Sequence, residues 1–248
     1  MAREDERRND LLIGRNAVTE ALKSEREIDT LYLVRGNNNP ALLRLASMAK
    51  EKGAVIKEVD SKKLDFMCAG ENHQGIAAYV AVHEYSSVED ILQLAEEKDE
   101  PPFIVICDEI EDPHNLGAII RTAECAGVHG VIIPKRRSAS LSYAVGKTSA
   151  GAVEYMKIAR VSNLAATIDE LKEKGIWVYA ADMDGEDYKS ADVSGAVALV
   201  IGSEGRGLGK LIKSKCDVIL SLPMKGHINS LNASVAAGIL MYEICSKR

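Results

Sequence analysis

The sequence predicts an α/β protein in two parts, a small α/β domain over residues 11–83 and a larger, mostly parallel, doubly wound sheet over residues 101–248. Three observations predict it. Short apolar runs alternate with segments of helical periodicity, most clearly from Phe103-Ile104-Val105-Ile106-Cys107 onward. Glycine follows helix after helix, at Gly53, Gly127 and Gly175. Composition also changes abruptly at residues 84–100, where seven acids face one base before Pro101-Pro102. That segment reads as an acidic linker carrying a short exposed helix, opened by the capping pattern Ser86-x-x-Glu89.

The elements follow in order. Asn16 to Lys23 reads as a helix and Leu31-Tyr32-Leu33-Val34 as a strand. Asn39-Pro40 then supplies a cap and a proline at the first helical position, opening a helix to Lys52. A strand over 54–59, a short helix over 62–68 and a strand over 75–82 complete a unit of about 70 residues, near the lower size at which one core sustains itself. In the second part, strands are expected at 103–107, 131–133, 156–161, 176–180, 197–201 and 218–222. Helices are expected at 116–126, 164–174, around Leu211 and at 233–244, with a polar, partly helical stretch over 138–149. The last helix is apolar on nearly every side, which predicts burial against the domain or against a second subunit.

Composition narrows the function classes. Hydrophobic residues are 46% and charged residues 27% of the 248, the balance of a soluble globular chain. The apolar run Ala196 to Ile201 is far short of the roughly 18–20 residues of a membrane helix. Residues 1–10 carry seven charges, which predicts a disordered tail, no secretory signal and a cytoplasmic protein with no membrane partner. The five cysteines lack a C-x-x-C pair and the five histidines lack H-x-x-x-H spacing, so buried or incidental thiols and no metal are expected. The net charge of −6 disfavours phosphate binding overall, but residues 84–100 alone carry −6 and the remainder is neutral. Lys135-Arg136-Arg137, with Lys147 nearby, is therefore a basic stripe free to meet phosphate, with a solvated turn as the plainer reading.

Three loops at expected strand ends carry the chemistry, where ligands of such sheets bind. Gly202-Ser203-Glu204-Gly205-Arg206-Gly207-Leu208-Gly209 permits tight turns and close backbone approach to a ligand, though it also reads as a plain connector. No G-x-G-x-x-G is present, which disfavours a dinucleotide enzyme. Asp112-Pro113-His114-Asn115-x-Gly117 opens a helix that turns Arg121 away from its apolar stripe; Asn115 also reads as a simple cap. Leu222 to Ser234 is a polar loop before the last helix, with Ser230 or Asn232 as a candidate cap.

Taken together, Asn115-x-Gly117-x-x-x-Arg121-Thr122-Ala123, Ile201-Gly202-x-Glu204-x-x-Gly207 and Leu222-Pro223-Met224-x-Gly226-x-x-x-Ser230-Leu231-Asn232-x-Ser234-x-Ala236 resemble the three motifs of the SpoU, or TrmH, family. That family comprises RNA ribose 2′-O-methyltransferases that use S-adenosylmethionine. The resemblance implies a SPOUT-type fold whose C-terminal segment forms a trefoil knot, and a homodimer. The first unit, with His73-Gln74-Gly75-Ile76, is similar to the L30e-like substrate-binding domain of the branch that methylates guanosine riboses in 23S rRNA. Ala233 stands where the third motif more often has Val.

By the same resemblance, Asn115, Arg121, Glu204, Ser230 and Asn232 are expected as catalytic residues. Ile201, Gly202, Leu222, Met224 and Leu231 are expected to hold the cofactor, and Lys135, Arg136 and Arg137 to meet RNA. The family's proposal makes Arg121 a general base; a guanidinium more readily clamps a phosphate than takes a proton. Both roles stand as alternatives. So do a tRNA or other rRNA ribose as substrate, a base methyltransferase on the same fold, and a non-catalytic RNA-binding relative.

Overall fold

A computed structural model describes residues 10–24, 27–81 and 83–248. The chain divides into two units, residues 1–84 with 140–144, and 85–139 with 145–248. Most of the expected tail, residues 1–9, lies outside the described residues. Asp10 departs from that expectation: it is buried, and its carboxylate accepts the Tyr143 backbone N–H at 3.2 Å. This bond helps to draw residues 140–144 into the first unit rather than the second.

The first unit is a four-stranded sheet in the order β1-β4-β2-β3, formed by β1 (Leu11–Ile13), β2 (Ile28–Val34), β3 (Val55–Val59) and β4 (Ile76–Val80). β2 and β3 are parallel, and β4 runs antiparallel between β1 and β2. Helices α1 (Gly14–Lys23), α2 (Pro40–Glu51) and α3 (Ser61–Met67) connect the strands. Val18, Leu22, Leu31, Leu42 and Ile76 fill one core. Asn39 caps α2 by accepting the Ala41 N–H at 2.9 Å, as its position before Pro40 predicts, a contact of about 1 kcal/mol. The expected strand over 75–82 ends at Val80, and Val82 lies outside the described residues.

The acidic segment is not a linker. Its helix α4 (Val88–Glu97) buries Ile91 and Ala95 in the second unit. A Cβ added to Gly130 would sit 2.4 Å from Ile91 Cγ1, so the helix rests directly on a strand. The acids simply occupy the outer face. Its capping box is Ser87 with Asp90, one residue beyond the expected pair, and lowers the Asp90 carboxyl below its ordinary value through hydrogen bonds from Ser87.

The six-stranded sheet has the order β10-β8-β9-β5-β6-β7, with every neighbouring pair parallel. Its strands are β5 (Phe103–Cys107), β6 (Gly130–Pro134), β7 (Lys157–Val161), β8 (Trp177–Asp187), β9 (Val197–Ile201) and β10 (Val218–Ser221). The central strands β5 and β9 are buried at every residue, the continuous apolar character of a sheet covered on both faces. Its helices are α5 (Pro113–Cys125), α6 (Tyr143–Thr148), α7 (Leu164–Glu173), α8 (Lys210–Lys215) and α9 (Ala233–Ser246). Helix α5 starts three residues earlier than expected, capped by Asp112, whose Oδ1 accepts the His114 N–H at 3.0 Å. Asn115 is thereby released from capping.

His129 joins the start of β5 to the end of the acidic segment. Its Nδ1 accepts the Phe103 N–H at 2.9 Å and its Nε2 lies 3.1 Å from Glu100 Oε2, with the side chain wholly buried. An acceptor at Nδ1 fixes the neutral ring with its proton on Nε2, donated to Glu100. Burial, reinforced by Lys98 and Arg248 against the pull of Glu100, holds the imidazole below its ordinary value. The unfolded chain therefore takes a proton that the folded chain refuses, and stability falls as pH drops through about 6.5. Urea unfolding from about pH 7.5 to about pH 5.5 checks this: the wild type should lose stability more steeply than His129→Gln.

Candidate active site

Because the sheet is parallel, the loops after β5, β9 and β10 leave from one edge, the carboxyl edge where ligands of such folds bind. Each carries one of the expected residues. Asn115 lies in the first turn of α5 and is buried; Glu204 is exposed in the loop after β9; Asn232 caps α9. The folded chain brings all three into one hydrogen-bonded cluster. Asn115 Nδ2 donates to Glu204 Oε2 at 3.1 Å, and Asn232 Nδ2 donates to Asn115 Oδ1 at 2.8 Å and to Glu204 Oε2 at 3.4 Å. Asn232 Oδ1 accepts from the N–H groups of Ser234 and Val235 and from the Ser234 hydroxyl at 2.6 Å. Both ends of that amide are thus committed, and a carboxylate receives two neutral donors.

The loop after β9 closes tightly on itself. Ser203 and Gly207 exchange backbone hydrogen bonds of 3.1 and 2.9 Å, and Gly209 N–H donates to Asp108 Oδ2 at 2.9 Å. Asp108 follows β5, so this bond ties two strand ends together. Burial raises its carboxyl above the ordinary value, offset by the Gly209 N–H. Gly202 leaves no room for a side chain, since a Cβ there would lie 2.4 Å from the Gly207 carbonyl carbon. Gly117 is equally crowded, since a Cβ there would lie 2.7 Å from Thr148 Cβ, which seats α5 against the end of α6.

The remaining expected residues do not join this cluster. Arg121 is exposed further along α5 and makes no hydrogen bond or ion pair among the described residues. Ser230 is exposed in the loop before α9. Ile201 is buried at the end of β9 and Leu222 is half-buried, whereas Met224 and Leu231 are 38% and 39% exposed, apolar side chains on a polar loop. The crowded backbone at Gly202 and the exposed apolar side chains of Met224 and Leu231 are compatible with a partly apolar ligand. In the basic stripe, Arg137 pairs with Glu109 at 2.6 Å, so it is not free as expected; Arg136 is exposed and Lys135 half-buried. Among the described residues no group of three or more His, Cys, Asp or Glu could hold a metal ion. None of their helices is long and apolar enough to cross a membrane.

A cavity of about 300 Å³ adjoins the cluster, lined by Glu109, Glu111, Asp112, Asn115, Glu204 and Arg206 among others. Glu111, Asp112 and Arg206 were not anticipated as site residues. Asp112 had a readable signal, a capping residue before proline, the same pattern as Asn39-Pro40.

Residues 102–242 match the SpoU rRNA Methylase family, and residues 11–86 match a family described as RNA 2′-O ribose methyltransferase substrate binding. Over 241 residues the chain is 50% identical to the protein named TrmH family tRNA/rRNA methyltransferase YacO from Bacillus subtilis, covering 97% of this chain and 96% of that one. The structure of the AdoMet-bound rRNA methyltransferase from Sinorhizobium meliloti matches with a TM-score of 0.59 at 28% identity, over 98% of this chain and 89% of that one. The SpoU methyltransferase AviRb from Streptomyces viridochromogenes, in complex with AdoMet, shares the fold with a TM-score of 0.60 at 23% identity, over 95% and 89%.

Proposed function

The chain belongs to the SpoU rRNA methylase family, and we propose that, as an S-adenosylmethionine-dependent RNA methyltransferase, it methylates the ribose 2′-oxygen of a guanosine in 23S rRNA. The observation that carries this reading is the convergence of Asn115, Glu204 and Asn232 from three loops on one sheet edge. When bound, S-adenosylmethionine would supply an electrophilic methyl group for the 2′-oxygen, leaving S-adenosylhomocysteine, with the hydroxyl proton released to water.

The residues divide the work. Gly202 presents backbone at close range, and Ile201, Leu222, Met224 and Leu231 provide the apolar walls. Glu204, fixed by two amides, orients Asn115 and Asn232. Arg121 extends from the same helix as Asn115 with its guanidinium unpaired among the described residues, and a fork of fixed N–H groups suits the phosphate beside the target ribose. Ser230 lies two residues before Asn232 and positions the ribose. Holding the 2′-oxygen in line with the methyl carbon is then the main source of acceleration, because positioning alone can remove several kcal/mol of a barrier.

The substrate-binding match over residues 11–86 supports assigning RNA capture to the first unit, with residues 101–248 as the methyltransferase domain. Lys135, Arg136 and Arg137 would add phosphate contacts, Arg137 by exchanging its exposed pair with Glu109. We also assign a trefoil knot to the C-terminal segment and a homodimer to the assembly. Supporting the latter, α9 buries Ala237, Leu240, Met241 and Ile244 on one side while Val235, Ile239 and Tyr242 stay exposed on another. A cytoplasmic location follows from such a substrate.

Transfer of labelled methyl to protein-free 23S rRNA, 16S rRNA and tRNA, followed by alkaline hydrolysis and nucleoside analysis, tests the reaction. Label in an alkali-resistant dinucleotide of 23S rRNA, as 2′-O-methylguanosine, is the expected result. Label only in tRNA overturns the substrate, and label on a base overturns the chemistry.

A further inference from the structure

The cavity beside the Asn115–Glu204–Asn232 cluster combines two exposed groups of opposite charge, Glu111, whose charge helps to hold the Arg137 guanidinium protonated, and Arg206. Glu109 pairs with Arg137, Asp112 caps α5, and Glu204 accepts from two amides. Glu111 and Arg206, both exposed, make no hydrogen bond or ion pair among the described residues. Four carboxylates around one opening would repel a phosphate, so the cavity is unsuited to the RNA backbone. Its volume of about 300 Å³ suits a single flat heterocycle.

We infer that this cavity receives the target base, and that Glu111 and Arg206 read it as guanine. The inference rests on the methyltransferase reading above. Guanine presents two donors, N1–H and the N2 amino group, to one carboxylate, and two acceptors, O6 and N7, to one guanidinium. Adenine spoils both matches, offering an acceptor at N1 to the carboxylate and a donor at N6, beside a retained N7, to the guanidinium. Pyrimidines lack the N7 edge altogether. A carboxylate and an arginine lining one cavity therefore form a complementary pair for the two edges of guanine, and the other three bases leave polar groups there unpaired. Asn115 and Glu204 border the same cavity, so a base held there brings its ribose beside the cluster.

The test uses the full-length enzyme and 23S rRNA ligated to carry guanosine, inosine or 7-deazaguanosine at the methylated position. Inosine lacks the N2 amino group and 7-deazaguanosine lacks the N7 acceptor. Wild type should prefer guanosine over each analogue by about tenfold in kcat/KM. Glu111→Gln should lose the preference over inosine alone, and Arg206→Ala the preference over 7-deazaguanosine alone. This pattern cannot come from misfolding, which would lower all three substrates together. Preferences unchanged in both variants overturn the inference and leave the methyltransferase reading standing. A fall in S-adenosylmethionine affinity by calorimetry in Glu111→Gln, with base preference intact, assigns the cavity to the cofactor and overturns it as well. No transfer by the wild type to any RNA overturns both readings.

Discussion

Arg121→Ala is expected to abolish methyl transfer, by at least about a hundredfold, while S-adenosylmethionine still binds. The split follows from position. Arg121 is exposed and makes no hydrogen bond or ion pair among the described residues, so truncating it should change stability by no more than about 0.5 kcal/mol. The residues proposed to hold the cofactor lie at the end of β9 and on the loops after β9 and β10, whereas Arg121 sits on α5. Calorimetry with S-adenosylmethionine and transfer assays on the same preparation measure the two functions separately. Equal loss of both would end the proposed division of labour. Arg121→Lys separates the two roles offered for this side chain. A phosphate clamp keeps its attraction but loses its fork, so transfer should be partly retained and nearly independent of pH. A lysine acting as base would make the rate climb with pH.

Gly202→Ala should lose cofactor binding by more than about tenfold, because the added methyl strikes backbone and not a movable side chain. Its Cβ would lie 2.4 Å from the carbonyl carbon and 2.6 Å from the carbonyl oxygen of Gly207, and 2.6 Å from the Leu208 nitrogen. The paired Ser203 and Gly207 must separate to admit it, which moves Glu204 between them. Calorimetry supplies the affinity and circular dichroism confirms the fold. Gly195→Ala is the matched control, since nothing lies within 4 Å of a Cβ there. Retained affinity in Gly202→Ala would remove this loop from the cofactor site.

Local rules served the elements well where one signal dominated. The buried runs Phe103–Cys107 and Val197–Ile201 are strands with the expected ends, since no polar residue inside them offers another register. Degenerate signals misled. Ser86 and Ser87 each have an acid three residues on; Ser86 is held extended against β7 by its N–H to the Ile158 carbonyl at 2.8 Å, and Ser87 caps the helix. Charge misled at the same helix, because the seven acids of residues 84–100 outweigh two buried apolar residues in any average of composition. Strand β8 runs to Asp187, through residues of poor strand propensity, because β10 supplies hydrogen bonds across a register shift. β1 is only three residues long and passes straight into α1, too short for an alternating pattern.

The site was legible as three motifs, and only the resemblance joined them. Asn115 and Asn232 are separated by 117 positions, and no periodicity reports a contact at that distance. Glu111 and Arg206 lie outside the motif positions quoted for the family and came into view through the cavity they share.

Asn232 shows how narrow the chemical choice at one position can be. Its carbonyl end is turned toward the first amides of α9 and its amino end toward Asn115 and Glu204. Aspartate would cap the helix as well but would set a second anion against Glu204. Serine would cap it too, yet its short hydroxyl cannot also span to Asn115. Glutamine has the right groups on a stem one carbon too long for an N-cap. The backbone of a helix thus acts as a template that orients an amide, and the alphabet of twenty side chains contains one that answers both demands.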